Sequence, residues 1–158
     1  MKKALLIFLY ITLFFVLFFS AKTIVVTKDS TLTTLQQAVD LANDGDTIKI
    51  GEGVYEENVV LTKSINIMGE AGKVIFTPDD ENKPVLSIDA VKNLYIENIR
   101  FTGKENLIKS TMSKVAINDC SFSTYTTAIN LTAGSLLLTN SSFKGYKVEE
   151  GSYYMYKG

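Results

Sequence analysis

The stretch Asn93-Leu94-Tyr95-Ile96-Glu97-Asn98-Ile99-Arg100-Phe101 decides the fold, because the chain writes it three times. It returns as Lys114-Val115-Ala116-Ile117-Asn118-Asp119-Cys120-Ser121-Phe122, and again as Ser135-Leu136-Leu137-Leu138-Thr139-Asn140-Ser141-Ser142-Phe143. Phe101, Phe122 and Phe143 are 21 positions apart. So are Ile96, Ile117 and Leu138, and the polar trio Asn98, Asp119 and Asn140. A fainter copy stands at Ser64-Ile65-Asn66-Ile67. A fixed period near twenty with strand-like content marks a solenoid, in which each repeat is one coil. A β-sandwich gives no reason to repeat the same residue types at constant separation.

Within a repeat, Leu94 and Ile96 alternate with Asn93, Tyr95 and Glu97, so one face of the strand is apolar. The Asn or Asp two positions later tolerates the left-handed backbone that a sharp bend between strands requires. We expect this trio to stack from coil to coil, with amides paired to neighbouring backbone and Asn140 inaccessible. Phe101, Phe122 and Phe143 should stack as an aromatic ladder inside. The whole reads as an all-β, right-handed parallel β-helix of about four coils on a 20-to-25-residue repeat.

Upstream, Leu32, Leu35, Ala38, Val39 and Ala42 fall at spacings of three and four between Thr31 and Asn43, the pattern of one helix face. Thr33 with Gln36, or Thr34 with Gln37, forms a capping box, and Asn43-Asp44-Gly45 ends the helix. Further upstream, Met1-Lys2-Lys3 precedes an uncharged apolar run from Ala4 to Phe19. Residues 1–21 therefore read as an export signal, or as an uncleaved membrane anchor through residues 4–19. Either way residues 22–145, the β-helix domain, are exported: secreted, periplasmic or displayed at the cell surface. Residues 146–158, with Tyr146, Tyr153, Tyr154 and Tyr156, form a Tyr-rich tail or a cap over the last coil.

Composition limits the chemistry. A length of 158 residues is one ordinary domain. Sixteen basic groups against seventeen acidic ones give −1, and leaving out residues 1–21 lowers this to −3, so the chain has no basic footprint for nucleic acid. With no His and one Cys there is no His/Cys zinc site, no Ser-His-Asp triad and no internal disulfide. Carboxylates, hydroxyls, Lys and the lone Arg100 remain.

Three segments carry a family resemblance: Thr34-Leu35-Gln36-Gln37-Ala38-Val39, Gly45-Asp46-Thr47-Ile48-Lys49-Ile50 and Gly53-Val54-Tyr55-Glu56-Glu57-Asn58-Val59. Together they resemble the opening of the pectin-lyase-like β-helix superfamily, nearest to pectin methylesterases, with the similarity running from about Ile24 to Gly145. It implies that the helix caps the first coil. It also implies two catalytic Asp on neighbouring coils, Gln side chains for the oxyanion and an Arg. The local match to the family's Tyr-Gln-Asp-Thr run is Tyr125-Thr126-Thr127-Ala128, which places Thr126 and Thr127 at the Gln and Asp positions. A neutral hydroxyl cannot shuttle a proton near pH 7. The nucleophile's segment corresponds to Gly145-Tyr146-Lys147-Val148-Glu149, where the acid is one residue out of step. Arg100 reads as an outward surface residue, and no catalytic residue is assigned.

The superfamily's lyases imply Ca²⁺ held by acids on adjacent coils. Asp79-Asp80-Glu81, followed by Asn82 and Pro84, reads instead as a solvated turn, so no metal or cofactor is expected. Cys120 reads as a buried or half-buried free thiol. The outward residues Tyr95, Lys109, Tyr125 and Thr127 are the binding candidates. The expectation is an exported, non-catalytic module that binds a polysaccharide or a cell-surface protein. The alternatives are a truncated or diverged carbohydrate esterase or lyase, and a structural unit that self-associates end to end.

Overall fold

The structure is a computed structural model that describes residues 21–145. The signal or anchor and the tail or cap therefore lie outside the described residues, apart from Ala21. In chain order the elements are β1 (Thr23–Val26), α1 (Leu35–Leu41), β2 (Thr47–Ile50), β3 (Gly53–Glu56), β4 (Val59–Leu61), β5 (Asn66–Gly69), β6 (Val74–Thr77) and β7 (Leu86–Asp89). The chain continues through β8 (Leu94–Glu97), β9 (Ile99–Thr102), β10 (Asn106–Thr111), β11 (Lys114–Asn118), β12 (Ser121–Ser123), β13 (Thr127–Thr132), β14 (Ser135–Thr139) and β15 (Ser142–Lys144). These strands form three parallel sheets, ordered β1-β2-β5-β8-β11-β14, β3-β6-β9-β12-β15 and β4-β7-β10-β13. Each strand pairs with strands of neighbouring coils, which is a parallel β-helix.

The first sheet has six strands, so the expected count of about four coils is too low. The 21-residue spacing runs through the later coils and, among the earlier ones, holds from β3 to β6. Between β5 and β8 the register couples Asn66 to Tyr95 across the long Pro78–Pro84 turn, and this insertion hides the early copies from a search at constant period. The faint copy at Ser64-Ile65-Asn66-Ile67 is real and leads into β5.

In-register pairing lines side chains into columns. Ile24, Ile48, Ile67, Ile96, Ile117 and Leu138 form one inward column of the first sheet. The second sheet carries the aromatic ladder, and it is longer than the repeat predicts. Tyr55 and Phe76 precede Phe101, Phe122 and Phe143, with centroid separations of 5.1, 6.2, 5.3 and 4.8 Å. The Tyr55 hydroxyl donates to the Gly51 carbonyl at 2.9 Å, which lets a tyrosine stand in a buried column. The third sheet holds an exception: Ser110 lies between Ile88 and Leu131, fully buried, and its hydroxyl has no partner.

Corners are made by residues with left-handed backbone. Asn98, Asp119 and Asn140 have φ of 59°, 49° and 50°, as the polar trio predicts. Ala90, Met112 and Ala133 form a second such column and Thr124 sits at a third corner, none of which the sequence advertises. Their amides continue the ladder around the bend. Asn98 N–H donates to the Asn118 carbonyl at 3.3 Å, Ala90 N–H to Thr111 at 3.1 Å and Met112 N–H to Thr132 at 2.8 Å. Asn98 is half-buried while Asp119 and Asn140 are exposed, so the expectation that Asn140 is inaccessible is corrected.

Helix α1 covers the N-terminal end, as an amphipathic helix beside an open sheet edge should. Its box is Thr34 with Gln37. Leu35, Ala38 and Val39 are buried, and the helix packs on β1, β2 and β4. Distant coils then fix both helix termini. Glu57 accepts from the Leu35 and Gln36 amides at 2.9 and 3.1 Å, and Lys63 donates to the Val39, Asp40 and Ala42 carbonyls at 2.8 Å each. Both charges match the helix dipole. Burial raises the Glu57 pKa, and the two amides and Lys28 offset only part of that. For Asp46, burial also pulls upward, but amide donors from Asn43 and Lys22 and the charges of Lys22 and Lys63 prevail, so its pKa is lowered. Gln36 accepts from the Val60 amide at 2.8 Å, closing the edge of β4. Among the described residues no helix is long and apolar enough to cross a membrane.

Coil spacing leaves no room at Gly69, which stacks on the Asn98 corner. A Cβ there would stand 2.5 Å from the Asn98 carbonyl oxygen. Gly69→Ala should therefore cost about 1–3 kcal/mol, the range for forced overpacking, measured by urea unfolding. An unchanged midpoint would show that the coils can spread at this corner.

Candidate binding face

The outer face of the first sheet is built from residues that the pleat turns away from the core. One outward column runs Thr23, Thr47, Asn66, Tyr95, Ala116 and Leu137, and its neighbour runs Val25, Lys49, Met68, Glu97, Asn118 and Thr139. Small Ala116 beside large Tyr95 and Leu137 leaves a depression across β8, β11 and β14. Asn66, Asn93 and Lys114 contribute its polar rim, and its volume is about 350 Å³. It is shallow and open to solvent.

Beside the depression is a polar row. Asn118 Nδ2 donates to Glu97 Oε1 at 2.9 Å and to Asp119 Oδ2 at 2.7 Å. Asn118 Oδ1 accepts from Thr139 Oγ1 at 2.8 Å and Asn140 Nδ2 at 3.0 Å. One amide thus ties together two carboxylates from neighbouring coils. Tyr95 belongs to the same row: partial burial raises its phenol pKa, and a hydrogen bond to Glu97 and that residue's charge add to the rise.

The four predicted binding residues do not come together. Tyr95 lines the depression. Lys109 projects from β10 on the third sheet, exposed between Ser87 and Asn130. Thr127 begins β13, half-buried opposite Asn106. Tyr125 lies in the corner before it, half-buried and packed against the core. Thr126 donates to the Lys104 carbonyl through its amide at 2.8 Å and its hydroxyl at 2.9 Å, which makes it a staple between coils.

Other readings find their places. Arg100 is exposed on β9. Cys120 is a buried free thiol whose pKa burial pushes up to about 11. The Asp79-Asp80-Glu81 segment is a closed turn, with Asp80 Oδ1 accepting from the Asn82 amide at 3.0 Å and Asp80 pairing with Lys83 at 3.1 Å. Among the described residues no three acids or Cys gather closely enough to hold a metal ion. Glu149 lies outside the described residues. Sequence reasoning missed the Glu97–Asn118–Asp119 link because it assigned Asp119 to the bend. The signal was present, since Glu97 and Asn118 occupy the same position of successive repeats.

No protein-family model matches the chain, and no curated protein matches it. Among solved structures it is similar to pectin methylesterase PemA from Erwinia chrysanthemi, at 12% identity and a TM-score of 0.42, over 78% of this chain and 66% of that one. It is also similar to a pectin methylesterase crystallised in complex with a hexasaccharide, at 11% identity and a TM-score of 0.39, over 81% of this chain and 66% of that one. The chain thus spans 66% of the length of each. The parallel β-helix itself rests on the strand register described above.

Proposed function

We propose that the chain is an exported β-helix module that binds carbohydrate across the outer face of its first sheet without turning it over. The observation that carries this reading is the depression over β8, β11 and β14, where the Tyr95 ring adjoins Ala116 and Leu137 within a rim of amides. A sugar offers an apolar ring face and a hydroxyl edge. A partly exposed phenol beside carboxamides meets both. Coils about 4.8 Å apart repeat on the scale of one pyranose ring, so an extended glycan can run along the solenoid axis.

A second reading, a diverged carbohydrate-active enzyme, is favoured by one observation. Glu97 and Asp119 converge on Asn118 from neighbouring coils beside the depression. Paired carboxylates are the usual means of dividing acid and base roles. Against it stands the Asn118 amide, which holds one oxygen of each carboxylate in hydrogen bonds within the protein.

Both readings meet one experiment: titration of the protein against a panel of neutral and acidic oligosaccharides, with product analysis of the same mixtures. Binding without product is expected. Tyr95→Ala should weaken it at least tenfold, about 1.4 kcal/mol, while Lys109→Ala on the third sheet should leave it unchanged. Silence across the panel, or full binding by Tyr95→Ala, would overturn the proposal. Product that disappears in Glu97→Gln would establish the enzyme instead.

A further inference from the structure

The depression on the first sheet lies between charges of opposite sign. Three outward columns cross it, two residues apart along each strand: Asn93, Lys114 and Ser135, then Tyr95, Ala116 and Leu137, then Glu97, Asn118 and Thr139. Lys114 stands on the rim where the strands begin, and Lys92 lies beside it. Glu97 ends β8, and Asp119 follows the last residue of β11. Lys92, Lys114 and Asp119 are exposed and Glu97 is half-buried.

None of these four charges is neutralised by the protein. Ion pairs among the described residues are made by Lys22, Lys73, Lys83 and Lys104, and none involves Lys92, Lys114, Glu97 or Asp119. Spacing explains this. From Lys114 to Asn118 the extended strand covers about 13 Å, so the basic rim does not reach the acidic one across the apolar floor. That span also exceeds the screening length of about 8 Å at physiological salt. Lys49, the ammonium on the Glu97 column, is set off from Glu97 by Met68. The Asn118 amide holds one oxygen of Glu97 and one of Asp119 in place, and Asp119 Oδ1 has no partner among the described residues.

We infer that this face selects a zwitterionic glycan, with carboxylates along one edge of the chain and free amines along the other. The inference rests on the carbohydrate-binding reading above and names the substrate class of the same site. With the glycan running along the solenoid axis, its ring faces meet Tyr95 and Leu137. Its carboxylates then meet Lys92 and Lys114, and its ammonium groups meet Glu97 and Asp119. Both edges gain charge-assisted hydrogen bonds, which are stronger than neutral ones. A uniformly anionic chain sets its charge against Glu97 and Asp119, and a uniformly cationic one against the lysines. Each is attracted by one rim and repelled by the other, which is how a surface discriminates between ligands of similar shape.

The test titrates the full chain in detergent with oligosaccharides of alternating glucuronic acid and glucosamine. Mildly acidic buffer keeps the amines protonated and the carboxylates ionised. Three forms differ only at the charged groups: the parent, its N-acetylated form and its carboxyl-reduced form. The parent should bind about tenfold more tightly than either, with an advantage that shrinks as salt is raised. Glu97→Gln with Asp119→Asn should abolish the preference over the N-acetylated form and keep that over the carboxyl-reduced form. Lys92→Ala with Lys114→Ala should do the reverse. Asn fills the same left-handed corner at Asn98 and Asn140, so the exchange at Asp119 suits the backbone. Equal binding of the three forms, all of it lost in Tyr95→Ala, would overturn the charge inference and leave carbohydrate binding standing. Tightest binding of either modified form would overturn it too. So would silence of all three, and Tyr95-dependent binding of a neutral oligosaccharide would then preserve the broader reading.

Discussion

Every coil of this protein is held by the coils beside it, through side chains of one kind stacked in register. A parallel strand of three to six residues has no stability alone, and its hydrogen bonds run to other coils. What fixes the register is the inward column, because a slip of one residue would turn an isoleucine or phenylalanine to solvent and a polar residue into the core. The ring ladder from Tyr55 to Phe143 is the strictest of these columns. Its faces are nearly parallel at three of four steps, with interplanar angles of 18°, 32°, 15° and 6°.

That constraint makes the ends costly, since an end coil has one neighbour only. The N-terminal end meets the cost with a seven-residue helix that could not persist alone. Glu57 and Lys63 reach it from later in the chain and satisfy opposite termini. The helix in turn gives Gln36 to the edge of β4. Cap and coil are therefore one unit: the helix exists because the coil binds its ends, and the coil edge is closed because the helix is there.

The sequence discloses the later coils clearly and the earlier ones poorly, for a physical reason. Where the corners keep constant length, as between Leu94 and Phe143, identical environments select identical residues and the period is visible. Where a turn is inserted, as at Pro78–Pro84, the environment persists but the spacing does not. Tyr55 and Phe76 keep the 21-residue step between themselves but fall out of phase with Phe101, and so go unrecognised as members of the ladder. The αL corners are legible where Asn or Asp fills them, and hidden at Ala133 and at Ala90 and Met112, where in the last two tertiary pairing of the amide outweighs local preference. Binding candidates are harder still. An alternating pattern says that Tyr95 and Lys109 both face outward, but not that they belong to different sheets.

The outer face inherits its order from the core. Because Ile96, Ile117 and Leu138 are stacked, Tyr95, Ala116 and Leu137 must also be stacked, as must Glu97, Asn118 and Thr139. Any ligand site on this sheet is a consequence of the columns behind it. The direct measurement is the stability of Phe101→Ala, which removes a ring flanked on both sides. A loss of about 3–5 kcal/mol in urea unfolding is the result for a ring that binds its neighbouring coils together. A loss below about 1 kcal/mol would contradict the claim that the ladder holds the coils in register.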